Sequence, residues 1–243
     1  MLLIQKRATP RSLSEQVIGI EKSEEWQKLS DEDSGSVRSY FDSLDKYTIR
    51  KNLFAEQHGL CAYCMRRIRE DGSMVIEHFK PIKNKQYALD YQNMIGCCDG
   101  GRSCDKSDKK VLCCDASKGN KDLTIDPRDK TFIDSIKYNR DGFIQSSNTE
   151  ADRQINDILN LNGIRDEKGN LKFDTATRLV AGRKNVYKCF SKKMETLNGR
   201  VKSKERMHTE IRKMIEKIEN SDEYPEYAGV MLYFLKRRLR NIS

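Results

Sequence analysis

Seven of the eight cysteines fall in one stretch, Cys61 to Cys114, and any fold for this chain has to bring those sulfurs near one another. Met1-Leu2-Leu3-Ile4 runs at once into Lys6 and Arg7, so no apolar segment of signal-peptide length follows. No run reaches the apolar length that spans a bilayer. The expected setting is the cytoplasm, without membrane contact. There, clustered cysteines are metal ligands or buried thiols rather than a disulfide framework. Cys61-Ala62-Tyr63-Cys64 is a turn that aims two sulfurs at one ion, and a tetrahedral zinc needs two more. The adjacent pairs Cys97-Cys98 and Cys113-Cys114 leave the register open, with Cys104 as a competitor. Cys98, ahead of the Asp99-Gly100-Gly101 turn, and Cys114, ahead of the capping residue Asp115, are preferred. Four protein ligands close a zinc to substrate, so its expected part is to staple a loop-rich region.

Hard donors are interleaved with these soft ones. Glu77 and His78 are adjacent in the short β-like run Met74 to Phe79, and Asp115 follows the last cysteine of the cluster. Phosphodiester hydrolysis needs a base for water and a cation for the charge on phosphorus and on the leaving oxygen. A regular strand would send Glu77 and His78 to opposite faces, so a bend is expected there if both serve one site. Asn93 stands where an amide can pin the loop carrying His78. His58 and His208 read as a helix-end surface residue and a polar-face residue, and Cys189 as core.

The periodicity predicts an α+β chain with a mostly helical C-terminal half. The expected divisions are a segment 1–45, a central region 46–148 and a helical region 149–243. Within them, Ser23 to Leu29 reads as a short helix, Ser30 to Ser39 as a loop, and Leu44 to Gln57 as a helix stopped by Gly59. Lys83 to Tyr91 reads as a polar loop and Asp99 to Lys110 as an insertion. Leu123 to Pro127 reads as extended, and Phe132 to Ile144 as a hairpin turning at Asn139-Arg140-Asp141-Gly142. Apolar stripes then predict a long helix from Thr175 to Gly199, another through Met207, Ile211 and Ile215, and a last one starting at Ser221. The formal net charge of +9 favours a polyanionic partner.

The motif order resembles the HNH endonucleases of the zinc-knuckle, ββα-metal type. Their usual signature is C-x-x-C, D/E-H-x-x-P, N-L-x-x-x-C and C-H/N-x-x-K-G. Here it stands as Cys61-Ala-Tyr-Cys64, Glu77-His78-Phe-Lys-Pro81, Asn93-Met-Ile-Gly-Cys-Cys98 and Cys114-Asp115-Ala-Ser-Lys118-Gly119, about a quarter of the chain. Glu56-Gln57-His58-Gly59, the long insertion, Ile158-Leu159-Asn160-Leu161-Asn162 and the Arg178/Arg183 helix resemble one branch, the PtuB-like nucleases of Septu and retron-linked antiphage systems. The resemblance implies a ββα-metal core flanked by helices. It implies His78 as general base, Glu77 and Asp115 as ligands of a catalytic Mg2+ or Mn2+, and Asn93 as the residue orienting the loop. It also implies structural Zn2+ on Cys61, Cys64, Cys98 and Cys114, with Lys80 and Lys118 meeting nucleic acid.

The usual His or Asn of the last motif is Asp115 here; a carboxylate suits magnesium, and Asn120 is a substitute ligand. The branch further implies an ATPase partner like PtuA, possible association with a retron reverse transcriptase and its RNA–DNA hybrid, and action on double-stranded DNA in antiviral defence. Lys236, Arg237, Arg238 and Arg240 could grip phosphates or simply suit the end of a helix. The alternatives are an RNA-cleaving effector, a zinc-knuckle module that binds nucleic acid without cutting it, and a stand-alone HNH nuclease.

Overall fold

A computed structural model of the chain describes residues 1–30, 33–83, 85–104 and 110–242. Four short helices come first: α1 (Arg11–Glu21), α2 (Glu24–Lys28), α3 (Ser34–Ser43) and α4 (Lys46–Glu56). Side-chain caps start the last three, from Ser23, Asp33 and Asp45, each accepting from a backbone N–H of the first turn. The expected loop at Ser30 to Ser39 is therefore α3 over most of its length. Asp33 caps it, and burial of Val37 and Phe41 outweighs the weak helix propensity of its serines and glycine. Asp31 and Glu32, in the same stretch, lie outside the described residues.

The central region is built on β1 (Val75–His78), α5 (Lys85–Ala88), a 3-10 turn at Tyr91–Asn93, β2 (Met94–Cys97) and α6 (Asp115–Lys118). β1 and β2 pair antiparallel, Val75 with Cys97 through His78 with Met94. The expected Lys83 to Tyr91 loop contains α5, because Ala88, Leu89 and Tyr91 turn into the core; Asn84 is outside the described residues. Of the expected insertion, residues 105–109 are likewise outside them.

Leu123 to Pro127 forms no strand, although Pro127 O accepts from Ile4 N. The hairpin turns at Asn139 to Gly142 as expected, but it is shorter. Its first half is α7 (Lys130–Ser135), followed by β3 (Ile136–Tyr138) and β4 (Ile144–Ser146).

Next come α8 (Thr149–Arg153), a π-helical turn at Gln154–Ile158, and a two-stranded ribbon, β5 (Ile164–Arg165) with β6 (Leu171–Phe173). The long helices α9 (Leu179–Arg200), α10 (Lys204–Glu219) and α11 (Ala228–Arg240) follow. α9 starts four residues later than Thr175. Asp174 and Thr175 side chains take the N–H groups of Leu179, Val180 and Ala181, while Arg178 sits at φ +54. Gly199 lies inside α9 and does not end it. α11 starts at Ala228, not Ser221. The segment before it is laced to the cysteine turn instead: Tyr224 N donates to His58 O, and Tyr227 N to Met65 O. Cys189 is exposed and not core, one residue off the stripe through Val186, Phe190, Met194 and Leu197.

One hydrophobic core reaches from Met1 through the central region to Phe234, and a smaller one joins α9, α10 and α11. Two buried polar side chains fasten these parts. Arg183, 1% exposed, donates to Gly142 O, Leu161 O and Asn162 Oδ1, which ties the hairpin and the Leu159–Asn162 segment to α9. Gln57 donates to Leu60 O and Gly96 O and accepts from Gly96 N, clamping the cysteine turn against β2. Gln57→Ala strands these buried backbone groups, and a loss of about 2–4 kcal/mol in denaturant unfolding is expected. An unchanged midpoint would mean that water or a shifted backbone replaces the amide. Among the described residues no helix is long and apolar enough to cross a membrane.

Candidate metal centre and acid pair

The cysteine turn is shaped by its backbone. Cys61 N donates to Arg66 O, Met65 N to Cys61 O, and Ala62 N to Gly96 O, with Met65 at φ +63. β2 ends at Cys97, which alternation and pairing with Val75 place in the sheet, and Cys98 lies just beyond it. Cys114 adopts φ +56 and donates its N–H to Leu159 O. Gly100 makes room for this crossing: a Cβ on it would meet Cys113 O at 2.2 Å. The sulfurs of Cys61, Cys64, Cys98 and Cys114 therefore converge, all buried and all within 4.8 Å of one another. Cys97, Cys104 and Cys113 stand outside this group; the Cys113 thiol is 3.5 Å from Thr177 Oγ1, and that of Cys104 is 3.6 Å from Ala176 O.

The cluster has the dimensions of a tetrahedral site. Cys64 and Cys98 sulfurs are 3.6 Å apart and those of Cys61 and Cys114 4.0 Å. Four thiolates around zinc at ordinary bond lengths would sit about 3.8 Å apart. Burial pushes the Cys64 and Cys114 thiols up. Cys61, although buried, is held well below the usual thiol range by hydrogen bonding with its cysteine neighbours. Four sulfurs in so small an apolar volume cannot all ionise alone, and a thiophilic cation such as zinc resolves that conflict. These four residues fit such an ion.

Asp115 is the first residue of α6 rather than its cap, because Cys114 occupies the preceding position without a side-chain bond to the helix. Its carboxylate turns to Arg102, Nη1 to Oδ2 2.6 Å. Glu77 approaches it from β1. Burial raises the Glu77 carboxyl to about 8, helped by its hydrogen bond with Asp115 and opposed by Lys118. Asp115, though buried, is lowered by that same bond and by Arg102. Their proximity thus moves the two acids apart, Glu77 up and Asp115 down. Lys118, only 2% exposed, reaches back from α6 to stand 2.5 Å from Glu77 Oε1 and 3.2 Å from His78 O. The Glu77 contact lacks hydrogen-bond alignment, so Oε1 remains a buried oxygen with no directed donor.

His78 is placed differently. The strand stays regular through residue 78, so the bend expected at Glu77-His78 is absent and the two side chains leave opposite faces. The imidazole packs edge-on to Phe41, ring centroids 4.5 Å apart, and its Nε2 lies 2.9 Å from Ala88 O. A carbonyl only accepts, so Nε2 carries the hydrogen and Nδ1 the lone pair. Burial lowers the ring's pKa to about 4, leaving it neutral near pH 7. Asn93 holds the chain just beyond: Oδ1 accepts from Lys80 N, and Nδ2 donates to Lys80 O and Tyr87 O. Lys80 itself is exposed.

Arg102, which sequence reasoning passed over, and Gln57, which it quoted only within Glu56-Gln57-His58-Gly59 and gave no role, belong to this site. Gln57 had a signal, four residues after Leu53 on the buried face of α4; Arg102, in a polar insertion, had none. No protein-family model matches the chain, and no curated protein matches it.

Proposed function

We propose that the protein is a metal-dependent endonuclease of the HNH type that hydrolyses phosphodiester bonds of nucleic acid, double-stranded DNA above all. In this reading it is the effector of an antiphage complex with a PtuA-like ATPase. What supports the reading is that Glu77 of β1 and Asp115 of α6 are close enough to shift each other's ionisation, with Asp115 directly after Cys114 of the four-cysteine group. The strand pair and α6 would be the ββα element. Glu77 and Asp115 would hold Mg2+ or Mn2+, whose charge would stabilise the attacked phosphate and the leaving oxygen. For His78 to serve as the base, its ring would have to turn from Phe41 and Ala88 toward the ion, because His78 and Glu77 leave opposite faces of β1. The four cysteines hold zinc away from this chemistry and fix the positions of β2 and α6.

A second reading has its own support. Lys118 and Arg102 already occupy the acid pair, and His78 is enclosed by Phe41 and Ala88. Such a cluster also suits a zinc-knuckle module that binds nucleic acid without cutting it. Plasmid and RNA incubated with the zinc-loaded protein, with and without Mg2+, separate the two and assign the substrate. No nicking of either under any condition would leave the binding module.

Ion binding has a definite pH signature. Glu77 carries a proton below about pH 8, and an ion must displace it. Apparent affinity for Mn2+ therefore rises about tenfold per pH unit up to that point and levels off above it. His78, neutral above about pH 4, adds no second proton. Calorimetry in buffers of different ionisation enthalpy counts the proton released, and an affinity flat with pH would remove Glu77 from the ligand set.

A further inference from the structure

Between the β3–β4 hairpin and helices α9 and α11 lies a cavity of about 540 Å3, within the range of small-ligand sites. Its floor is aromatic. Tyr187 and Phe190 lie against Phe234 with ring centroids 4.7 and 5.4 Å away, and Tyr233 meets Phe234 edge-on at 5.1 Å. Tyr187, Phe190 and Tyr233 line the cavity and are only half-buried. Its rim is cationic. Lys137, Arg140, Arg237 and Arg238 border it, and no acidic side chain among the described residues does. Arg238 leans on the Asn198 amide at 3.4 Å, while the other three are exposed and stand in no ion pair among the described residues. Gln145 and Asn241 add amides at the edge.

The hairpin is held in place, so the cavity is formed in advance. Gly142, at φ +89, packs so tightly on α9 that a Cβ would meet Val180 O at 2.2 Å. Arg183 Nε donates to Gly142 O at 2.6 Å, and Lys184 pairs with Asp141 at 3.2 Å.

Half-buried rings beside uncompensated cations match what single-stranded nucleic acid offers: free base faces and a phosphate backbone. A duplex keeps its bases stacked on one another, out of reach of rings on a cavity floor. An acidic peptide would use the cations and leave the rings idle. We propose that this cavity binds a nucleotide of a single-stranded nucleic acid, with the base on the Tyr187, Phe190 and Tyr233 rings and the phosphates on the Lys137, Arg140 and Arg237 rim. The site shares no residue with the cysteine centre or the acid pair, and it stands whether or not the chain cleaves.

The test titrates the zinc-loaded full chain, without magnesium, into labelled short oligo-dT, oligo-rU and a duplex of equal length, with polyglutamate as competitor. Tyr187→Leu and Tyr233→Leu are expected to weaken single-strand binding about tenfold each with the salt dependence unchanged. Arg140→Gln with Arg237→Gln is expected to weaken it and to flatten the salt slope by about 1.4. A preference for oligo-dT or oligo-rU assigns the sugar and supports the site either way. In the unaltered protein, photocrosslinking to an oligonucleotide carrying 5-iododeoxyuridine should label Tyr187, Phe190 or Tyr233, a readout independent of variant folding. Crosslinks confined to other residues would overturn the proposal. So would aromatic variants that bind single strands as the wild type does, or polyglutamate displacing the strand as effectively as unlabelled DNA.

Discussion

Cys114→Ser and Cys61→Ser are each expected to abolish zinc binding at the four-cysteine group and, with it, the folded central region. The sulfurs meet from three separated places, the turn at residues 61–64, the end of β2 and the start of α6. Little regular structure joins those places: β1 and β2 are four residues each, and so is α6. Structural zinc in small sites binds with about 10–16 kcal/mol, comparable to or above the whole stability of a typical domain, about 5–15 kcal/mol. Removing one ligand should therefore drop zinc from one per chain to near none and abolish the cooperative thermal transition. Cys97→Ala and Cys113→Ala, which lie outside the cluster, should keep the metal. Metal analysis paired with thermal melts decides it; full zinc in the Cys114 variant, or loss of zinc in the Cys97 variant, would mean a different register.

The second large effect belongs to His78. Its ring is buried against Phe41 with one hydrogen bond to Ala88 O, so His78→Ala should cost about 1–3 kcal/mol of stability and leave zinc content intact. General-base catalysis is worth about 100- to 10,000-fold in rate, and on the proposed nuclease reading cleavage should fall by that factor. The pH profile carries a further mark. An ordinary histidine would give an inflection near 6.5, whereas this ring is neutral from about pH 4 upward. At subsaturating metal the rate should instead climb to about pH 8, following Glu77. Cleavage by His78→Ala at the wild-type rate would remove the imidazole from the chemistry. It would also give weight to what the strand geometry already shows, that His78 and Glu77 leave opposite faces.

Local signals carried far in this sequence. The Cys61-x-x-Cys64 turn, the helices α2 and α4 and the Asn139 to Gly142 turn are each decided by a few neighbouring residues, and each was readable, although α4 starts at Lys46 behind its Asp45 cap and not at Leu44. The preference for Cys98 over Cys97 and Cys114 over Cys113, read from the turn and capping residues that follow them, agrees with the four sulfurs that converge, where β2 stops at Cys97 and Cys114 takes a positive φ. Long-range effects were not legible. α3 forms because Val37 and Phe41 find the core, and α11 starts late because residues 224 and 227 bond to the cysteine turn. Cys189 stays exposed because one residue of helical phase separates it from the stripe. Lys118 reads as a surface cation for phosphate, yet the short α6 turns it inward to Glu77. Arg102 finds Asp115 across an insertion with no periodic signal.

The most direct measurement is anomalous diffraction from a crystal of the zinc-loaded protein soaked in Mn2+, with data on both sides of the zinc edge. A zinc peak is expected among the four sulfurs and a separate manganese peak between Glu77 and Asp115, with the Lys118 ammonium moved off Glu77. A zinc peak alone, with Lys118 still against Glu77 and no manganese at the acid pair, would contradict the account.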